Sequence, residues 1–278
     1  MPDLAAAISD LVRGWGADHV TVAVRLPEHA PLVVGPPDRA YALASVTKLF
    51  TATAALVAVE EEALALTDPA GPEGATVEHL LAHASGLGFD GSEPLTTPAR
   101  RRIYSNAGYE VLAETITTAA GIDFATYADE AVLQPLGMAG TVITGSPARG
   151  WRAPATDVLA LLDQLRQPTI LAAETRARAT TVAFPGLAGV LPGVGRFDPL
   201  DWGLGFEVRD GKAPHWTGTA NSPRTVGHFG GSGTFAWYDP DADVTCVALT
   251  DRDFGDWALQ AWPELSDLVL RNGARRPT

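Results

Sequence analysis

Ala44-Ser45-Val46-Thr47-Lys48-Leu49-Phe50 places a serine three residues before a lysine, at the head of a long apolar run. Residues 42–59 contain neither Pro nor Gly and are rich in Ala and Leu, so they read as one helix. Residues three apart share a helical face, which lets Lys48 reach back toward Ser45. A serine hydroxyl is a weak nucleophile and needs a base beside it. A lysine in a dry pocket loses basicity and can be that base. The first helical turn also offers free N–H groups and the positive end of the helix dipole, an environment that favours an oxyanion. Ser-x-x-Lys alone is a short pattern, so the rest of the chain has to supply its partners.

Composition narrows the field. With 278 residues, 46% apolar and 19% charged, the chain can bury a sizeable core as one large or two small domains. A net charge of −13 argues against a nucleic acid or an anionic membrane as partner. Cys246 is the only cysteine, so no intrachain disulfide forms, and its strand-like neighbours mark it as a buried apolar residue. The N-terminus carries Asp3 in place of a basic segment, and Asp10 and Arg13 interrupt any apolar stretch. No export signal is expected there, and the expected location is the cytoplasm. Lys48 and Glu60-Glu61-Glu62 make the serine helix a core helix and not a membrane span.

In chain order, residues 3–15 read as a helix, and 19–25 and 31–34 as a hairpin ahead of the serine helix. From 63 to 165 only helix and loop are expected: 76–83 with Thr76 as cap, 110–120, 124–133 and 154–165. Arg176 and Arg178 suit a helix end, and 184–197, loaded with Gly and Pro, suits a loop over a site. Strands follow at 203–209, 225–230, 234–238 and 243–250, before a closing helix at 259–271. Short links between the late strands imply antiparallel pairing. The expected fold is α+β: an antiparallel β-sheet with flanking N- and C-terminal helices (1–62 and 166–278) plus an all-α subdomain (63–165). A cleft between the two is the expected site.

Two further stretches carry chemistry. Tyr104-Ser105-Asn106 precedes a helix; a tyrosine near a lysine can hold a phenolate and move protons, and Asn106 can donate and accept. His228-Phe229-Gly230-Gly231 sits at a strand end, where glycines let the backbone approach a ligand and a strand N–H can pair with the nucleophile's own N–H as an oxyanion hole.

Ser45-Val-Thr-Lys48, Tyr104-Ser-Asn106 and His228-Phe-Gly230, in that order, resemble the serine β-lactamase and penicillin-binding-protein superfamily. The likeness is to its class C β-lactamase-like branch, with D-alanyl-D-alanine carboxypeptidases and β-lactamase-like esterases. His79-Leu-Leu-Ala-His-Ala-Ser-Gly-Leu87, Tyr104-Ser-Asn-Ala-Gly-Tyr109 and Trp237-Tyr-Asp-Pro240 extend it over residues 40–250. The resemblance implies an antiparallel sheet with an all-α subdomain. It implies acylation of Ser45 and proton transfer by Lys48 and Tyr104, either of which could be the base. Asn106 would bind substrate and Lys48. His228 would help Tyr104 or bind a carboxylate, and Gly230 and Gly231 would meet the substrate, with Ser45 and Gly231 N–H groups at the oxyanion. No metal or cofactor is expected. Phe229, where Thr or Ser often helps bind a carboxylate, and a mostly neutral His228 favour a small ester or amide over a β-lactam or D-amino-acid peptide. A non-catalytic binding homologue is the remaining alternative.

His79 and His83, four apart, lack the Glu after the first histidine that a zinc peptidase needs; His83 is expected to brace its loop and His79 to lie at the surface. Gly230-Gly-Ser-Gly233 is not the Gly-x-Ser-x-Gly elbow of an α/β-hydrolase. Trp202, Trp216 and Trp237 are candidates for an acyl pocket or for core.

Overall fold

A computed structural model describes residues 2–273. Helix α1 (Pro2–Val12) runs into a 3-10 turn (Arg13–Trp15) and then strands β1 (Val20–Arg25), β2 (Leu32–Val34) and β3 (Tyr41–Ala42). A second 3-10 turn (Ala44–Val46) leads into α2 (Thr47–Glu60). Next come α3 (Val77–Leu81), β4 (Arg102–Ile103), α4 (Ala107–Ala120) and α5 (Phe124–Ala128), the last continued by a wide π turn (Asp129–Leu133). Then follow β5 (Arg152–Ala153), α6 (Ala155–Arg166), α7 (Ala173–Ala179), β6 (Gly189–Leu191) and β7 (Gly195–Phe197). The chain ends through β8 (Glu207–Val208), β9 (Val226–Gly230), β10 (Thr234–Asp239), β11 (Val244–Thr250) and α8 (Asp256–Gly273).

The main sheet is antiparallel throughout, in the order β2-β1-β11-β10-β9-β8, so chain start and chain end meet at the β1–β11 pair. Both faces are covered, which is why Val-Thr-Cys-Val-Ala-Leu-Thr of β11 is buried at every residue. One face (Val22, Val24, Cys246, Ala248) packs on Leu4 and Ile8 of α1 and Trp262, Leu265 and Val269 of α8. The other (Ala23, Val247, Leu249) packs on α2 and α6 in an apolar cluster that continues without a break to Leu112 of α4 and Tyr127 of α5. Helix α2 is buried from Thr47 to Ala58, so it shows no polar stripe. The expected α+β architecture with flanking terminal helices is present. Cys246 is buried and free.

Several local expectations are corrected. The first helix ends at Val12, since Gly14 and Gly16 around Trp15 are weak helix formers. The serine helix does not start at 42: Tyr41 and Ala42 pair with β5, and the α-helix begins only at Thr47. Two short strands, β4 and β5, lie inside 63–165, where only helix and loop were expected. They are two residues long, too short to show alternation, and their partners are remote in sequence. Thr76 does not cap α3 with its side chain; its hydroxyl pairs with His79 Nδ1 at 2.8 Å. His79 is half-buried, stacked on Phe184 at 4.3 Å, and so is not a plain surface residue. The 184–197 stretch folds as the β6–β7 hairpin on β4. Of 203–209, only Glu207 and Val208 form strand, as Gly205 takes a φ of 95°. There a Cβ would come within 2.1 Å of Ala52 Cβ. No helix among the described residues is long and apolar enough to cross a membrane.

Candidate active site

Ser45 lies in the 3-10 turn before α2, partly exposed, while the residues after it are buried. Ala44 takes a left-handed φ of 44°, a costly conformation for a residue with a Cβ. Leu43 is clamped on both sides of the chain: its N–H donates to Trp151 O at 2.9 Å and its carbonyl accepts from Thr234 Oγ1 at 2.9 Å. Ser232 Oγ donates to Ala42 O at 2.5 Å. The β9–β10 turn is thereby stapled to the strand that delivers the serine. Gly230 sits so close that a Cβ would stand 2.3 Å from Leu43 O and 3.1 Å from Ser45 N.

Lys48 is fully buried. Its Nζ donates to Asn106 Oδ1 at 2.6 Å and to Ala148 O at 2.9 Å, and lies 3.5 Å from Ser45 Oγ. Asn106 is oriented by its other end, where Nδ2 donates to Asp90 Oδ1 at 3.3 Å. Thr51 Oγ1 donates to Pro147 O at 2.6 Å, and Trp151 N donates to Thr47 Oγ1 at 3.2 Å, so α2 itself holds the segment that presents the Ala148 carbonyl. Burial, assisted by the nearby Arg149 cation and opposed by Asp90 and Glu110, pushes the Lys48 ammonium down to about 7. A substantial share of the amine is therefore neutral at neutral pH.

Tyr104 lies between Lys48 and His228. Lys48 Nζ sits over the phenol ring, 4.8 Å from its centre, and Tyr104 Oη is 3.3 Å from His228 Nε2. Burial pushes the phenol well above its ordinary range, against the opposing influence of the Ser45 hydroxyl. The expectation of a phenolate is corrected: the cation faces the ring and not the oxygen, and desolvation prevails. His228 is also buried, and burial together with the Lys48 charge pushes it down to about 3. Its Nδ1 faces the Phe229 carbonyl at 2.7 Å, an acceptor, which assigns the proton to Nδ1 and leaves Nε2 to accept from Tyr104. A neutral imidazole has no charge to offer a carboxylate, which favours the other role of His228, beside Tyr104. His83 does brace its loop, with Nδ1 accepting from Ser105 N at 3.1 Å while its ring packs on Tyr104 at 4.5 Å.

Ser45, Tyr104, His228, Phe229 and Gly231 open on one cavity of about 220 Å³, closed by Phe89, Leu191, Pro192, Gly193 and Phe254. No charged side chain lines it. All seven residues singled out in the sequence are thus in or beside one site, with Lys48, Asn106 and Gly230 behind its wall. Sequence reading missed Asp90, the Ala148 carbonyl and Arg149, whereas the far wall, from the β6–β7 turn, falls within the 184–197 stretch expected to lie over the site. A backbone carbonyl carries no sequence signal, and Asp90 could have been suspected only as an acid just past the Ser85-Gly86-Leu87 loop. Trp202, Trp216 and Trp237 are core: Trp202 packs edge-on to His83 and Tyr104, and none of the three lines the cavity.

A helix-flanked antiparallel sheet with such a serine–lysine–tyrosine cluster beside it is the architecture of the serine β-lactamase and penicillin-binding-protein superfamily. A family model described as beta-lactamase matches residues 35–270, and the chain belongs to that family. Serine-hydrolase chemistry is the class of reaction the family carries. A crystal structure of a beta-lactamase from Mycobacterium bovis is similar at 49% identity and a TM-score of 0.93, over 96% of this chain and 99% of that one. The fold is shared with EstCE1, a hydrolase with promiscuous acyltransferase activity (19% identity, TM-score 0.78, 97% and 98% covered). It is shared too with a simvastatin synthase mutant from Aspergillus terreus (16% identity, TM-score 0.78, 97% and 98% covered). No curated protein matches the chain significantly.

Proposed function

We propose that the protein hydrolyses small carboxylic esters through an acyl-enzyme on Ser45, with Lys48 as the base. The observation that carries this reading is the Lys48 amine. It donates to two obligate acceptors, Asn106 Oδ1 and Ala148 O, so in its neutral form the lone pair is left for the Ser45 hydroxyl. Ser45 Oγ gives its proton to Nζ and attacks the carbonyl carbon. The oxyanion faces the N–H groups of Ser45 and Gly231. The Lys48 ammonium returns that proton to the departing alkoxide, and Tyr104, a neutral phenol held by His228, stands beside the serine as a hydrogen-bonding group. Water repeats the sequence on the acyl-enzyme. His228 keeps Tyr104 turned toward the serine. The uncharged, ring-lined cavity suits a short apolar acyl group. The division into 1–62 with 166–278 and 63–165, and a cytoplasmic setting, belong to this proposal.

Turnover of a chromogenic short-chain ester, lost by several orders of magnitude in Ser45→Ala, is the expected result; equal rates in the two proteins remove Ser45 as nucleophile. A second reading, β-lactam hydrolysis, is favoured by the 49% identical beta-lactamase from Mycobacterium bovis, and a chromogenic cephalosporin assay separates the two. Failure of a fluorophosphonate to add to Ser45, read by intact mass, would leave a binding protein.

A further inference from the structure

Beyond the Ser45 cavity lies a second hollow of about 430 Å³, and the two share Phe89, Tyr104 and Pro192. Its floor is the small sheet β4-β6-β7, in which Ile103 stands opposite Val190 and Val190 opposite Arg196. Residues directly opposite share a face, so Ile103, Val190 and Arg196 form one row. Phe89 and Leu95 form the other bank. Among described residues only five large apolar side chains are markedly exposed; Phe89 (49%), Leu95 (62%) and Val190 (56%) are three of them, all in this groove. Such clustering marks a surface that something apolar covers. The Phe89 carbonyl accepts from Asn106 N at 2.8 Å, so this bank is anchored to the start of α4.

The charge is as distinctive as the apolarity. Arg101 and Arg196 both line the groove and are exposed, and no acidic side chain lines it. Neither guanidinium has an ion-pair or hydrogen-bond partner among the described residues. The whole chain carries −13, and seven other arginines are paired with Asp or Glu. Two unpaired cations over a greasy floor, on an otherwise acidic protein, complement one chemistry.

We infer that the groove selects esters with an arm that is apolar along its length and ends in an anion, carboxylate or phosphate, with Arg101 and Arg196 receiving the anion. This rests on the ester-hydrolase reading and specifies its substrate class. The arm runs from the scissile bond past Tyr104 onto Val190 and Leu95.

The test uses two matched pairs of esters. One pair puts the anion on the acyl side: 4-nitrophenyl hydrogen suberate against 4-nitrophenyl octanoate. The other puts it on the alcohol side: the acetate esters of 4-(4-hydroxyphenyl)butanoate and of its carboxamide. In one of the pairs kcat/KM should favour the anionic member by about tenfold at low salt, mainly through KM. That ratio should fall with ionic strength and collapse toward one in R101Q/R196Q. A phosphate-terminated analogue distinguishes phosphate from carboxylate as the preferred end. A ratio near one in both pairs, or a preference that survives the double substitution, overturns the inference. Neutral esters cleaved without charge preference sink this inference but not the esterase reading. If no ester is cleaved, the esterase reading fails, and binding of suberate and 4-(4-hydroxyphenyl)butanoate by wild type against R101Q/R196Q decides the groove alone: equal affinities overturn it.

Discussion

Lys48 shows how one buried amine can be tuned with no charged side chain in hydrogen-bond contact. Its two short bonds go to neutral oxygens, which satisfy the N–H groups without stabilising the cation as a carboxylate would. The sign of the pH dependence follows. The base must be neutral, and its pKa is pushed down to about 7, so kcat/KM for an ester should rise through pH 7 and level off above it. Arg149 holds that value down from a distance, paired with Asp90 at 3.5 Å. Arg149→Gln should therefore move the acidic limb upward, by roughly a few tenths of a pH unit given solvent screening. A pH–rate profile of both proteins checks this; a downward move contradicts the assignment of Lys48.

At the scale of elements, the site depends on three backbones being pressed together: β3 with Leu43, the end of β9, and the 147–151 segment. Gly230 is where the pressing is tightest. Gly230→Ala puts a methyl 2.3 Å from the Leu43 carbonyl, so one backbone must retreat. We expect a loss of about 1–3 kcal/mol of stability and, because Ser45 moves with Leu43, a fall in kcat of about a hundredfold. Gly231→Ala, with nothing within 4 Å of its Cβ, should melt like the parent. Thermal melts and ester kinetics of the pair measure both effects. Similar melting and kcat for Gly230→Ala and wild type would show that the close approach does not position the serine. Arg102 does comparable work on the opposite bank. Buried, it donates to the carbonyls of Leu200, Ala82, Ala183 and Phe184, tying the loops around the β6–β7 hairpin to the end of α3.

Over the whole molecule, the buried histidines under Tyr104 make acid the weak side of the fold. His228 is pushed down to about 3 from 6.5, and burial moves His83 in the same direction. Both are neutral when folded and protonate when unfolded, so their contribution is complete above pH 6.5 and is lost as pH falls below it, for His228 down to about 3. Each can cost up to about 1.4 kcal/mol per pH unit in that window. Glu207, pushed down to about 2, adds its own loss only below pH 4.5. Urea unfolding at pH 7 and pH 5 should show the drop; equal stabilities would contradict the burial of these rings.

What the residues alone determined is the list of chemical parts and the class of fold. Ser45, Lys48, Tyr104, Asn106 and His228 were legible because three short motifs stand in an order that resembles a known superfamily, each being too short to decide alone, and the β11 and α2 runs because burial on all sides leaves an apolar string. Only the tertiary structure decided how those parts behave. The Ala148 carbonyl, the tautomer of His228, the protonated phenol of Tyr104 and the charged groove on β4-β6-β7 come from segments remote in sequence. Their effects depend on desolvation and on distances of a few ångströms, which exist only once the chain has closed β1 onto β11.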